Sequence, residues 1–283
     1  MTIAEKFNIK ELFDSHAHLA YFSDAEVNED IKNAKDQNTD SVFNMGIDFE
    51  SSIKVVQQAK ISNNYLKPFV GIDPEVFLPG SKLFTGFKDG DKYIKDNILK
   101  IKLLIEDNKD IVIGIGETGI DHYHLEHLKI STEERDKSKK LQEDLFIQHL
   151  ELAVEFNLPL SIHSRWAEIE CLEIVKDFKI NGIFHSYTGD YTTAVEILEA
   201  GWGLGINGIT TFKTATELRE IYKKILGKIS DDWTPWDFYQ KGIFFETDSP
   251  FLSPEGKRGD RNEPANISII YNSFINFLKN DGI

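Results

Sequence analysis

Six side chains in this sequence have the types and placement to hold metal ions: His16 and His18 in 14-DSHAHL-19, then Glu117, His163, His185 and Asp248. Each falls at or just beyond the end of a short apolar run. Residues two apart on a strand face the same side, so an H-x-H pair can offer both imidazoles to one ion. Taken alone, His16 and His18 fit a buried, hydrogen-bonded core pair equally well. The wider pattern adds weight to the ligand reading, because four of the eight histidines end three predicted strands, with Glu117 ending a fourth and Asp248 a fifth. Four imidazoles and two carboxylates exceed one tetrahedral site and predict two divalent metal ions with Glu117 as the bridge. Such a centre activates a water and stabilises charge on the attacking and leaving oxygens. Asp248 is then a terminal ligand able to accept the proton of that water, so Glu117 and Asp248 are also the catalytic candidates. Imidazole-rich coordination suits Zn2+ or Mn2+, while phosphate substrates bring Mg2+, so the metal stays open.

Arginines near the same strand ends are candidates for substrate contact. Arg165 lies two residues beyond His163, and Arg261, with Arg258, lies in the turn-like 254-PEGKRGDRNEP-264. A guanidinium fork matches phosphate geometry, although each also fits a solvated surface arginine. Other signals read more plainly. Gly114-Ile115-Gly116 lacks the third glycine and helix start of a dinucleotide fingerprint. His122, His124 and His127 read as a solvated loop, His149 as a core histidine on an apolar helix face, and Cys171 as a small buried hydrophobe. Trp233 and Trp236 could stack bases, but packing against the body of the protein is the simpler reading.

The elements that must position these residues follow from periodicity. Runs rich in Val, Ile and Phe predict strands at 12–16, 41–47, 67–72, 111–116, 158–163, 182–186, 202–206 and 242–247. Between them lie amphipathic segments such as 51–60, with Ser51 a candidate N-cap, and 142–156. Eight strands alternating with helices predict a (β/α)8 TIM-type barrel, whose active sites lie at the C-terminal ends of the strands. One domain over 1–283 is expected, with a core about 12–278 and loop insertions near 79–92, 122–140 and 227–241.

Composition narrows the partners. Of 283 residues, 41% are hydrophobic and 28% charged, as in globular proteins. No stretch approaches the roughly 18 apolar residues of a membrane span. The N-terminus lacks the apolar core of a secretory signal, and a single cysteine agrees with a reducing compartment. The chain is therefore expected in the cytoplasm, with the nucleus as the alternative. Its net charge of −15 argues against a broad nucleic-acid-binding surface, so a polyanion needs local attraction such as metal ions. No protein partner can be read from it.

These blocks, DSHAHL, 114-GIGETGID-121, 158-LPLSIHSR-165, 182-GIFHSYTGD-190, 246-ETDSPFL-252 and 258-RGDRNEP-264, together resemble the TatD family of metal-dependent deoxyribonucleases within the amidohydrolase-like barrels. The resemblance implies a barrel with a two-metal centre that hydrolyses phosphodiesters, most often DNA, as an exonuclease. It places metal-ligand roles on His16, His18, Glu117, His163, His185 and Asp248, and substrate contacts on Arg165 and Arg261. Three departures stand out: Asp73 in 71-GIDP-74 replaces the family's usual histidine, HSYTG replaces HCFSG, and Asp260 replaces a common lysine before RNEP. The expected function is a DNase that uses a metal-activated water on DNA ends or single strands, because a recessed mouth excludes long duplex. The alternative is a two-metal hydrolase of a small phosphate ester, amide or lactone. A catalytically silent metal-binding scaffold is a third reading, against which all six candidate ligands count.

Overall fold

Short apolar runs and longer amphipathic segments become eight parallel strands and eleven helices in the computed structural model, which describes residues 2–280. The expected domain's first residue and residues 281–283 lie outside that range. The strands are β1 (Asp14–Ala17), β2 (Val42–Met45), β3 (Leu66–Val70), β4 (Gly114–Gly119), β5 (Leu160–His163), β6 (Gly182–Phe184), β7 (Gly203–Ile206) and β8 (Ile243–Phe245). Helix α1 (Ile3–Phe7) precedes β1; α2 (Asp24–Asp36), α3 (Phe49–Ile61) and α4 (Gly90–Asp107) follow the first three strands in turn. Two helices, α5 (His122–His127) and α6 (Thr132–Phe156), follow β4, and α7 (Glu168–Val175) and α8 (Tyr191–Glu199) follow β5 and β6. Then α9 (Thr216–Leu226) and α10 (Pro235–Gln240) follow β7, and α11 (Ile267–Asn280) ends the described chain.

Neighbouring strands pair in the order β1 to β8, all parallel. The seam between β8 and β1 closes just past the end of β8, through one bridge between Ala17 and Ser249. There Asp248 N–H donates to the His16 carbonyl at 2.9 Å and His18 N–H to the Ser249 carbonyl at 2.7 Å. The result is a (β/α)8 barrel. Six of the strands are buried at every residue, and only Lys67 in β3 and His163 in β5 interrupt burial, as parallel strands covered on both faces require. Phe13, Phe43 and Phe69, from the approach to β1 and from β2 and β3, pack ring to ring at 4.8 and 5.1 Å. Each such ring contributes about 1.5–3 kcal/mol by leaving water.

Several expected boundaries move for identifiable reasons. The fourth strand begins at Gly114 rather than 111, because Ile111 and Val112 donate their N–H groups to the Asn108 carbonyl in the turn that ends α4. Asp48, not Ser51, caps α3, and Ser51 is the third helical residue of the capping box. The segment 122–140 is largely helical rather than a loop: Asp121 caps α5, and Ser131 with Glu134 forms a capping box that starts α6 ten residues before 142. Within 227–241, Thr234 and Asp237 cap α10, with Pro235 at its first position. The stretch 79–92 has no regular element until α4 starts at Gly90.

Candidate metal centre

The barrel places the six candidate ligands at one end. β1 carries His16, with His18 just beyond it; β4 carries Glu117; β5 ends in His163; His185 follows β6; and Asp248 lies three residues past β8. The sequence spacing fails to show how tightly they converge. His16 Nε2 and His18 Nε2 are 3.1 Å apart. Glu117 lies between two pairs of imidazoles: its Oε2 is 3.5 and 3.3 Å from the Nε2 atoms of His16 and His18. Its Oε1 is 2.9 Å from His163 Nδ1 and 3.0 Å from His185 Nε2. Asp248 Oδ1 closes the first group at 3.4 Å from His18 Nε2 and 3.9 Å from His16 Nε2. The rings of His16 and His185 stack at 3.8 Å.

Three ligand sets emerge from this clustering: His16, His18 and Glu117; His16, His185 and Asp248; and Glu117, His163 and His185. The donors fit divalent cations. Buried His18 Nδ1 and His185 Nδ1 have no hydrogen-bond partner. Nε2 atoms facing each other beside two carboxylates crowd together more lone pairs than protons can satisfy, and a cation relieves that crowding. Ser161 Oγ, 2.8 Å from His16 Nδ1, leaves Nε2 as the nitrogen that faces the centre.

Electrostatics divides the imidazoles. Burial and the neighbouring His185 hold His16 below its ordinary pKa. For His185 burial acts the other way from Glu117 and Glu246, which win and push it up to about 10. Burial likewise disfavours charged His163, but hydrogen bonds to Asp121 and Glu117 hold it well above the usual value. Against burial, His185 and His16 keep Glu117 well below the carboxylate range, and the His18 hydrogen bond keeps Asp248 low.

The residues around the centre include three that sequence reasoning did not single out. Asp121 is fully buried and accepts from His163 Nε2 at 2.9 Å, while its backbone cap and His124 Nδ1 occupy its other contacts. Such a carboxylate orients an imidazole and raises its basicity as a ligand. Asp14 accepts from Thr247 N–H at 2.8 Å and from Thr247 Oγ1 at 2.5 Å, tying β1 to the stretch after β8, and burial pushes it up to about 8. Glu246 accepts from Ser186 N–H at 2.6 Å and sits 3.3 Å from His185 Nδ1, not aligned for a hydrogen bond. All three lie in the quoted blocks, Asp14 at strand spacing before His16, which is the one signal that could have flagged it. Glycine matters at one crossing: Gly119 has φ 142°, and a Cβ there would lie 1.9 Å from the His163 carbonyl oxygen. β4 can pass β5 closely enough to bring Asp121 to His163 only without that side chain.

A cavity of about 460 Å³ opens over the cluster, and Arg165, Asp73 and His124 line it. Arg165 stacks 4.0 Å over Tyr123, and its guanidinium has no carboxylate partner among the described residues. Asp73 is 7% exposed and caps the turn that follows β3, accepting from Glu75 N–H at 2.7 Å; burial, then Glu117, raises its pKa well above the usual value. Arg261 does not line this cavity. Its fork is held by buried Asp30, Nη1 to Oδ2 at 3.0 Å and Nη2 to Oδ1, and stacks 4.4 Å over Phe22, while Arg258 stacks over Phe212. The histidine-rich segment is a helix with specific contacts rather than a solvated loop: His122 meets Glu170 at 2.6 Å and His127 meets the Tyr123 carbonyl at 2.6 Å. His149 and Cys171 are buried, and Trp233 packs 5.1 Å from Phe238. Trp236 also packs against the core and lies 6.0 Å from the Lys10 ammonium.

A family model described as TatD related DNase matches residues 13–281. An uncharacterized metal-dependent hydrolase of Buchnera aphidicola is 34% identical over 172 residues, covering 59% of this chain and 56% of that protein. The chain thus spans little more than half the length of that relative. YabD of Bacillus subtilis, also an uncharacterized metal-dependent hydrolase, is 30% identical over 264 residues, 92% of this chain and 88% of that one. Among solved structures, the TatD homolog YJJV of Escherichia coli matches with TM-score 0.73 at 18% identity, covering 94% of this chain and 90% of the other. A PTE-like lactonase mutant of Deinococcus radiodurans matches with TM-score 0.61 at 14% identity, covering 97% and 91%. At these identities the structural likenesses show the barrel fold.

Proposed function

Because the chain belongs to the family of TatD-related DNases and is a metal-dependent hydrolase, we propose that it hydrolyses phosphodiester bonds of DNA, acting from ends or on single strands. The observation that carries the reading is the placement of Glu117, one oxygen toward His16 and His18 and the other toward His163 and His185. A carboxylate so placed suits a bridge between two cations. These six side chains would hold divalent ions, which when bound would supply Lewis acidity and ease deprotonation of a water. Glu117 is ionised and fixed by four imidazoles, so it orients both halves of the site. Asp248, also kept ionised beside His18, accepts the proton of the attacking water. Arg165 binds the scissile phosphate with its unpaired fork, and Asp121 holds the His163 ring in register. Arg261, bound to Asp30, acts at a distance by fixing the RNEP turn against α2.

A second reading has its own observation. Asp73, Glu75 and Glu168 face the cavity with Arg165 as counter-charge, a lining that also suits a small ester or lactone. The discriminating experiment incubates the protein with an end-labelled single-stranded oligonucleotide under chelation and with magnesium, manganese or zinc. Shortening that requires metal and is lost in Glu117→Gln supports the DNase. Turnover of a small ester with no oligonucleotide cleavage under any metal would replace it with the second reading.

A further inference from the structure

Nucleic acid normally binds through its phosphates, yet this mouth is built against that. Five carboxylates line the cavity, Asp73, Glu75, Glu117, Glu168 and Asp248, and among the lining residues Arg165 is the one arginine or lysine. Were divalent ions to engage Glu117 and Asp248, Glu75 and Glu168 would still face the one guanidinium, while burial favours the protonated form of Asp73. Phosphates beyond the scissile one meet repulsion, so affinity for a nucleic acid end must come from another part of the nucleotide.

Two rings supply it. Tyr21 is 55% exposed and Phe251 49% exposed, among a set of aromatic side chains that are otherwise mostly buried. Tyr21 ends the 3₁₀ turn just beyond β1, and Phe251 lies in the turn beyond β8. Their centroids are 6.1 Å apart and nearly perpendicular, at 83°. Both flank a candidate ligand: the His18 ring is 6.2 Å from Tyr21 and 6.0 Å from Phe251. Both line the cavity. Leaving two apolar rings in water beside a charged centre costs free energy that a stacked ligand recovers.

We propose that Tyr21 and Phe251 form a nucleobase subsite, in which the base of the terminal nucleotide stacks while its phosphate reaches Arg165 and the ligand cluster. The assignment rests on the DNase reading for its ligand class. It makes recognition depend on the flat face of the base, so all four bases are accepted, since every base has a π-face. It also makes the enzyme sensitive to whether a base is present at all.

The test separates the two ideas by measuring binding as well as turnover. Manganese-loaded protein is titrated calorimetrically with deoxyadenosine 5′-monophosphate and with 2-deoxyribose 5-phosphate, which lacks the base. Stacking is worth roughly 5–150-fold in affinity, so the nucleotide should bind tighter by that factor. In Tyr21→Ala/Phe251→Ala the nucleotide should weaken to the level of the sugar phosphate, whose own affinity stays unchanged; Phe251→Trp should keep the preference. Equal wild-type affinity for the two ligands, or a double variant that weakens both alike, overturns the subsite. In parallel, oligonucleotides with an intact or an abasic end are digested. Cleavage of both ends at one rate, with no preference in binding, removes the subsite and leaves the DNase reading. A preference in binding with no cleavage of either oligonucleotide keeps the subsite and removes that reading.

Discussion

Acid should loosen this protein through His149, a buried imidazole that braces the wall of the mouth. Its Nε2 accepts the Ile72 N–H at 3.1 Å, next to Asp73, and its Nδ1 lies 2.9 Å from the Leu145 carbonyl and 3.0 Å from Thr118 Oγ1, next to Glu117. Only the neutral ring satisfies both ends, because a protonated Nε2 would face the Ile72 donor with a second donor. Burial lowers its pKa from 6.5 to about 4. The folded value lies below the unfolded one, so the unfolded chain binds more protons between them. The stabilisation is complete above the unfolded pKa and is lost as pH falls through the folded one. The separation is worth about 3 kcal/mol, a large share of the roughly 5–15 kcal/mol by which domains are stable. The assay is urea unfolding of wild type and His149→Gln across that range, in chelator so that ion uptake contributes nothing. Wild type should be the more stable at neutral pH, and its advantage should shrink by about 3 kcal/mol toward pH ~4. Carboxylates that titrate in the same range act on both chains and cancel in the difference. Parallel curves would refute the reasoning, since they would mean that the strut tolerates its proton.

Asp121→Asn removes the carboxylate that holds His163, and metal affinity measured by chelator competition should fall by roughly 10–100-fold; unchanged affinity would exclude His163 as an oriented ligand. Arg261→Ala strands buried Asp30 without its fork, so thermal or urea unfolding should show a loss of about 1–3 kcal/mol. KM for an oligonucleotide should hardly change, and a large rise in KM with intact stability would put Arg261 back on the substrate. Binding should also respond weakly to salt. Each neutralised phosphate on a single strand contributes a log–log slope of about −0.7, so with one arginine in the mouth a slope steeper than about −2 would contradict the acidic lining.

Much of the architecture could be read from periodicity, because each strand is short, apolar and followed by an amphipathic segment. The convergence of the candidate ligands was legible for the same reason: His16, His163 and His185 sit where apolar runs stop, and in this barrel that position faces the mouth. β4 was misplaced by three residues because Ile111 and Val112 carry the apolar signal, while the strand itself, 114-GIGETG-119, is half glycine and offers few side chains to read. The segment 131-STEE-134 announces a helix by its capping box, but the charged residues after it resemble a solvated insertion. Asp121, Glu246 and Asp14 escaped notice because their roles depend on partners brought by the fold, Asp121 on His163 and Asp14 on Thr247. Tyr21 and Phe251 are neighbours only because the first and last strands meet. Arg261 illustrates the converse: its motif suggested phosphate, and its partner Asp30, on a helix near the other end of the chain, could not be foreseen.

That meeting of β1 with the end of β8 also sets when the centre can exist during synthesis. A ribosome emits the strands in the order in which they sit round the barrel, so a chain that has released only seven holds five of the six candidate ligands and an open edge beside His16. Asp248 arrives together with the N–H that bonds to the His16 carbonyl, so the last candidate ligand and the latch are one segment. An ion held by the full candidate set would therefore cross-link the oldest and newest parts of the chain. Newly made protein short of metal would carry its weakness at that seam, where a protease or a chaperone would find it first.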